Sequence, residues 1–400
     1  MSIKKEKIPI VRFIDFSEPW LKKQLSEVAE FSKGRGYSKK DLQSHGTPII
    51  LYGRLYTNYE SVISNVETYA NLEENSVVSE GGEVIIPASG ESADDISRAS
   101  CVTDRGIILG GDLNIVRPHE YLNSLFIAMT LSNGSQQREL SKRAQGKSVV
   151  HLHNSDLKAI KLFYPSFEEQ SSIGSLFRTL DDLLSSYKDN LANYHSLKTT
   201  MLSKMFPKAG QTVPEIRLDG FESGWEEKEF SKLVKRVTQS SDSDSLPKVE
   251  FEDIISGQGR LNKDISSKFD NRKGIHFKPG YTLYGKLRPY LNNWLLPKFE
   301  GVALGDFWVF DPNGNDSNFI YYLIQSNRYQ KVANDTSGTK MPRSDWKSVS
   351  STIFAIPQTV AEQQAIGTYF SNLDNLISAH QEKISQLETL KKKLLQDMFI

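Results

Sequence analysis

The 400-residue sequence holds a single cysteine, Cys101. One thiol closes no intrachain disulfide and builds no cysteine-rich zinc site, so the chain suits a reducing cytoplasm better than an oxidising compartment. Neither charge is in excess: 49 Lys and Arg stand against 49 Asp and Glu. Whole-chain electrostatics therefore gives no argument for a polyanionic partner, and any surface for one must be local. No apolar run approaches the roughly 18 residues that would cross a bilayer. Lys4, Lys5, Glu6, Lys7, Asp15 and Glu18 interrupt residues 1–30, so neither a secretory leader nor a membrane span is expected.

Catalytic signatures are lacking too. Gly146, Lys147 and Ser148 resemble the end of a phosphate-cradling loop, but its first glycine falls on Ser141. Gly257 and Gly259 have no third glycine at dinucleotide spacing. His151 and His153 would share one face of a strand without an evident third ligand, so no metal site is expected. There is no NPPY- or DPPY-type aminomethylation motif, no GxSxG elbow and no nuclease carboxylate cluster. The chain reads as non-catalytic by itself.

What is present is repetition. Residues 168–206 align with 361–399, at a shift of 193, with 14 identities in 39 positions and no gap. The identities include Glu169/Glu362, Gln170/Gln363, Gly174/Gly367, Phe177/Phe370, Asp181/Asp374 and Met205/Met398. A second echo opens each half: PIVRFIDFSEPW at 9–20 and PEIRLDGFESGW at 214–225 share Pro, Arg, Phe and Trp at a shift of 205. Between these ends the halves diverge. YGRL at 52–55 echoes YGKL at 284–287, and Gly111-Asp112 echoes Gly305-Asp306, at inconsistent shifts.

Periodicity accounts for the repeated ends. Ile173, Phe177, Leu180, Leu184, Tyr187, Leu191 and Tyr194 recur in steps of 4 and 3, as do Ile366, Phe370, Leu373, Ile377, His380, Ile384 and Leu387, followed by Leu390, Leu394 and Met398 with a slight register change. Such a heptad stripe predicts two helices of about 35 residues, each with one apolar seam. Two equal seams are best satisfied by one another. Because the chain leaves the first helix, runs through a body and returns into the second, the pair should be an antiparallel coiled coil with approximate two-fold symmetry. The bodies read as mixed α/β: 82–88, 106–118, 157–165, 281–287, 301–312 and 350–357 are β-rich runs ending at Gly or Pro. Residues 120–133 and 317–333 read as amphipathic helices in both halves.

Both bodies carry local basic, amide and aromatic clusters of the type that contacts nucleic acid. In the first, the candidates are Lys33, Arg35, Tyr52, Arg54, Tyr56, Asn58, Arg143, Lys147 and Ser148. In the second they are Tyr284, Lys286, Arg288, Tyr290, Asn292, Lys340 and Arg343, which echo the YGRLYTN segment and the GKS loop.

The helix motif EEQ-x2-IG-x2-F-x2-LD-x-L, followed by LK-x3-L-x2-MF, together with the P-x-[VI]-R-[FL]-x2-F-x3-W opening, resembles the specificity subunit of type I restriction-modification systems over essentially the whole chain. One departure is that PSFEEQ at 165–170 is a residue shorter than PQTVAEQ at 357–363. The resemblance implies two target-recognition domains, 1–165 and 208–357, with spacer helices at 166–207 and 358–400. It implies recognition of a bipartite double-stranded DNA sequence and docking of methyltransferase subunits, two of them, and of restriction subunits. S-adenosylmethionine, ATP and magnesium are then expected in those partners and no cofactor in this chain. The alternative is a coiled-coil scaffold that bridges two protein-binding domains without touching DNA.

Overall fold

The computed structural model describes residues 9–93, 95–146, 149–266, 271–335 and 341–399. The chain divides into two compact units, one of residues 1–186 with 384–400 and the other of residues 187–383.

The first unit is centred on a five-stranded sheet in the order Ala29–Lys33, Leu113–Pro118, Glu83–Pro87, Ser100–Val102, Val62–Ile63, antiparallel except for the last pair. Its middle strands are buried on both faces. Ile85, Leu113 and Ile115 enter a cluster with Ile50, Leu55, Ile63 and Val102, while the helix Ser124–Ser132 packs on the sheet. Burial on both faces is why these strands read as continuous apolar runs without alternation. The helix differs from the expectation of an amphipathic one: Phe126 to Leu131 are all buried, because the sheet lies against it and Phe399, just past the end of the second long helix, packs on Phe126 at 5.9 Å.

The second unit repeats the first three strands of that order. Lys235–Val237, Phe307–Asp311 and Thr282–Gly285 pair in sequence across the sheet, Lys235–Val237 at one edge, and Trp294–Leu295 forms the other edge. Leu283, Phe307 and Val309 join one core cluster, and Tyr284, Trp308 and Phe310 join another, the period-2 partition of strands covered on both sides. The Gly-Asp echo is real, since it precedes the second strand of that order in each unit. The YGRL/YGKL echo is not. Residues 284–285 end a core strand whose counterpart is Glu83–Pro87, whereas Arg54–Thr57 form a short helix. The predicted helix at 317–333 is two, Ser317–Leu323 and Asn327–Ala333, because the Ser326 hydroxyl caps the second by accepting from Tyr329 N.

Both long helices have 39 residues, Phe167–Met205 and Val360–Met398, at the same shift of 193, each about 58 Å long at 1.5 Å per residue. In the first unit Asp181 pairs with Lys391 and Phe177 lies 5.8 Å from Phe399. In the second, Lys198 pairs with Asp374 at 2.7 Å and Phe206 lies 6.0 Å from Phe370. In each unit the numbers rise along one helix as they fall along the other, so the pairing is antiparallel. The seam residues Ile173, Phe177, Leu180, Leu184, Ile366, Phe370, Leu373, Ile377 and Leu387 are buried, and Leu191 and Ile384 are half-buried. Leu390 departs from the predicted stripe. It is exposed, and Lys391 stands in its place to reach Asp181.

The repeated ends form one junction built twice. The strand Leu21–Gln24 pairs with Lys161–Tyr164, just as Trp225–Glu229 pairs with Ile353–Pro357. Arg12 donates to both oxygens of Glu169 at 2.7 Å, and Arg217 donates to those of Glu362 at 2.7 and 2.8 Å. Trp20 and Trp225 donate their indole N–H to the same carboxylates at 3.4 and 3.0 Å. The carboxylate hydrogen bond raises the pKa of each guanidinium. Gln170 and Gln363 each donate to a proline carbonyl, Pro165 or Pro357, and accept from the N-cap backbone of an earlier helix, Asn123 of Ser124–Ser132 or Asp316 of Ser317–Leu323. Val11 N donates to Asp397 O and Ile216 N to Lys204 O, both at 3.1 Å. The one-residue shortfall before the first helix is absorbed ahead of it.

One pair of matched glycines differs in what surrounds it. A Cβ on Gly367 would meet Asn318 Cβ and Asp316 Oδ1 at 2.7 Å, whereas on Gly174 its first neighbour is Asn123 Oδ1 at 3.4 Å. Gly367→Ala should therefore lower stability by about 1–3 kcal/mol through overpacking. Gly174→Ala should be neutral or gain up to about 1 kcal/mol from helix propensity. Urea denaturation of the two variants checks this; equal effects would contradict the difference in packing.

Candidate nucleic-acid interface

The structure sorts the sequence candidates by what already occupies them. In the first unit, Arg54 is tied to Glu60 at 2.6 Å and to the Asn65 carbonyl at 2.9 Å. Tyr56 is half-buried and donates to the Ser89 carbonyl, and burial raises its phenol pKa. Arg143 pairs with Glu139 one helical turn away at 2.9 Å. These three hold the local fold. Lys33, at the end of the edge strand, Arg35, Tyr52 and Asn58 are exposed. Tyr52 stands edge-to-face against Tyr56 at 6.3 Å. Lys147 and Ser148 lie outside the described residues, as does Lys340 in the second unit.

In the second unit Tyr284 is a correction to the candidate set. It is fully buried, stacked on Trp308 at 6.1 Å, with its phenol pushed up to about 12 by burial, so it belongs to the core and offers no surface. Lys286 is half-buried and faces Asp306 at 3.5 Å. Arg343 binds the same carboxylate at 2.9 Å but keeps its side chain largely in solvent. Arg288 and Tyr290 are exposed and Asn292 is half-buried.

The segment 288–292 has an unusual backbone. Arg288 and Asn292 sit at φ 48° and 54°, bracketing a single turn of 3-10 helix, Pro289–Leu291. Left-handed backbone costs a non-glycine L-residue about 1–2 kcal/mol, less for Asn than for Arg. Leu291 and Met341 are large apolar side chains left exposed in this region, at 38% and 51%, and both escaped the sequence reading. Their signal was the Arg-Pro-x-x-Asn-Asn spelling, a proline turn closed by residues that tolerate left-handed backbone.

His151 and His153 stack in nearly parallel planes at 6.5 Å, with His151 Nδ1 3.2 Å from Ser89 Oγ. Among the described residues no group of three His, Cys, Asp or Glu is placed to hold a metal ion. Among them, too, no helix is long and apolar enough to cross a membrane.

Comparison with known proteins adds four findings. The family model described as the type I restriction modification DNA specificity domain matches residues 17–194 and again 228–389. The chain is 19% identical over 352 residues to the type I restriction enzyme MjaVIII specificity subunit of Methanocaldococcus jannaschii, spanning 82% of this chain and 80% of that protein. It is 22% identical over 300 residues to the MjaIX specificity subunit of the same organism, spanning 69% and 67%. Among solved structures it resembles the type I restriction-modification S subunit from M. genitalium, with TM-score 0.63 and 14% identity over 98% of this chain and 99% of that one. At that identity the likeness shows the fold.

Proposed function

Because the chain belongs to the type I restriction modification DNA specificity family and matches its domain model in two stretches, we propose that each unit reads one half of a bipartite, asymmetric DNA target. The observation that carries this reading is the division of labour along the sequence. The residues repeated between halves, Arg12/Arg217, Trp20/Trp225, Glu169/Glu362 and Gln170/Gln363, are engaged in the two junctions. The exposed cations, amides and tyrosines lie in the middles, which differ. Phosphate contacts by Lys33, Arg35, Arg288 and Arg343 would position the duplex, and Tyr52, Asn58, Tyr290 and Asn292 would face its bases. Different middles on one repeated frame imply different half-sites. With net charge zero, the affinity of the chain alone is modest and partners supply further basic surface.

The chain is non-catalytic in this reading and works in a cytoplasmic complex, with S-adenosylmethionine, ATP and magnesium held by its partners. The long helices supply the docking faces. Leu183 and Leu390 are 41% and 46% exposed in the first unit, and their counterparts Leu376 and Leu197 are 41% and 40% exposed in the second. Each unit thus shows the same pair of exposed leucines beside the seam, where a two-stranded coil ordinarily carries charge. A third apolar column suits a further helix, and its duplication suits two copies of one partner, the methyltransferase subunit.

Mapping of modified adenines in cells with and without this gene, with the cognate methyltransferase expressed in both, tests the reading. One bipartite motif with unequal halves should vanish on deletion. An unchanged map, or a motif in one block, would overturn it.

A further inference from the structure

The backbone of Arg288–Asn292 is tied down by hydrogen bonds, while the side chains of Arg288, Tyr290 and Leu291 are exposed. Arg288 N donates to Pro342 O at 2.7 Å, Asn292 N to Pro289 O at 2.9 Å and Gly257 N to Asn292 O at 3.0 Å. Ser256 Oγ donates to Leu291 O, and Pro289 is buried beneath the turn. On this fixed backbone Tyr290 is 57% exposed and Leu291 stands beside it. Met341 is the residue next to the Pro342 that anchors Arg288. Arg288 lies at one end of the turn, and Arg343, steadied by Asp306, lies on the strand-like segment bridged to Leu287. Two left-handed non-glycine residues, Arg288 and Asn292, bracket the turn. They aim an aromatic and an aliphatic tip outward, with arginines around them.

A surface that only bound phosphates would show cations on flexible stems. Apolar tips on a turn fixed by hydrogen bonds, flanked by arginines, are the chemistry of a side-chain wedge, which enters between two base pairs and partly unstacks them while the cations hold the adjacent phosphates. We propose that Tyr290 and Leu291 form such a wedge, inserting at one base step of the half-site read by the second unit, with Met341 against the same step and Arg288 and Arg343 on the flanking backbone. The proposal rests on the reading that this chain binds duplex DNA. It adds that part of the specificity of this half-site is deformability: the step entered should be a pyrimidine–purine step, the type most readily opened.

The test uses the full chain assembled with its methyltransferase subunits and target duplexes carrying 2-aminopurine at successive positions of both half-sites. Binding should raise the fluorescence at one step of the second half-site. Tyr290→Ala and the double variant Tyr290→Ala/Leu291→Ala should abolish that rise and weaken specific binding about tenfold or more, with non-specific binding kept, while Tyr290→Phe should retain both. Specific binding with no unstacked step, or a rise that survives in the double variant, overturns the wedge and leaves the two-half-site reading standing. Loss of methyltransferase assembly in the Tyr290 variants also overturns it, by making the loop a subunit contact. No DNA binding by the wild-type complex overturns both.

Discussion

Glu362→Ala should destabilise the chain by about 3 kcal/mol, the low end of the cost of breaking a buried ion pair. The carboxylate is fully buried and accepts three hydrogen bonds, two from Arg217 and one from the Trp225 indole. Alanine leaves a guanidinium and an indole N–H facing a dry cavity. The low end applies because Arg217 keeps about a fifth of its side chain in water and can turn outward. Glu169→Ala should cost nearly as much, since Arg12 and Trp20 repeat the geometry, with a longer indole bond of 3.4 Å. Arg217→Lys keeps the charge but loses the two-pronged fit, so it should fall between wild type and Glu362→Ala. Equilibrium denaturation followed by tryptophan fluorescence reads all three. A cost below about 1 kcal/mol for both glutamate variants, the range of a surface pair, would show that the junction does not hold the units together internally.

That junction was visible in the sequence only as two unexplained echoes at different shifts, 193 for the helices and 205 for the openings. The structure explains both, because the opening Arg and Trp converge on the helix Glu. The helices themselves were legible because a heptad seam is a local, periodic signal that survives divergence. That Lys391 rather than Leu390 continues the spacing was not, since it depends on an ion pair between Lys391 and a residue far away in sequence. Strand order was also hidden. Short apolar runs buried on both faces carry no directional pattern, so 284–287 could be matched to 52–55 by spelling although its spatial counterpart is 83–87. Among the candidate interface residues, composition found Arg288 and Tyr290 but could not separate them from Tyr284, because six residues decide between a strand inside the core and a turn outside it. Leu291 and Met341 were passed over because an exposed leucine or methionine looks, in sequence, like one bound for the core.

Inserting four residues into each long helix, after Asn190 and after Lys383, should lengthen the spacer of the recognised target by one to two base pairs and leave both half-sites unchanged. The ion pairs locate the insertion points. Asn190 lies between Asp181 and Lys198 along the first helix and Lys383 between Asp374 and Lys391 along the second, so each insertion falls between the two ion-paired positions of its helix, and the two positions are themselves equivalents at the shift of 193. Four residues add about 6 Å of rise, close to two base pairs. They also turn the helix by slightly more than one revolution, so the seam is nearly preserved as a stutter. A single insertion adds the turn on one side only and forces Asp181 and Lys391, or Lys198 and Asp374, out of register with the phenylalanine contacts beyond them. The double insertion should therefore be the more stable of the variants and the only one to give an active complex with a new spacer. Sequencing of modified adenines in cells carrying each variant reads the motif directly. If the double variant is active and its spacer is that of the wild type, the helices do not measure the gap, and the methyltransferase subunits or the recognition bodies must set it.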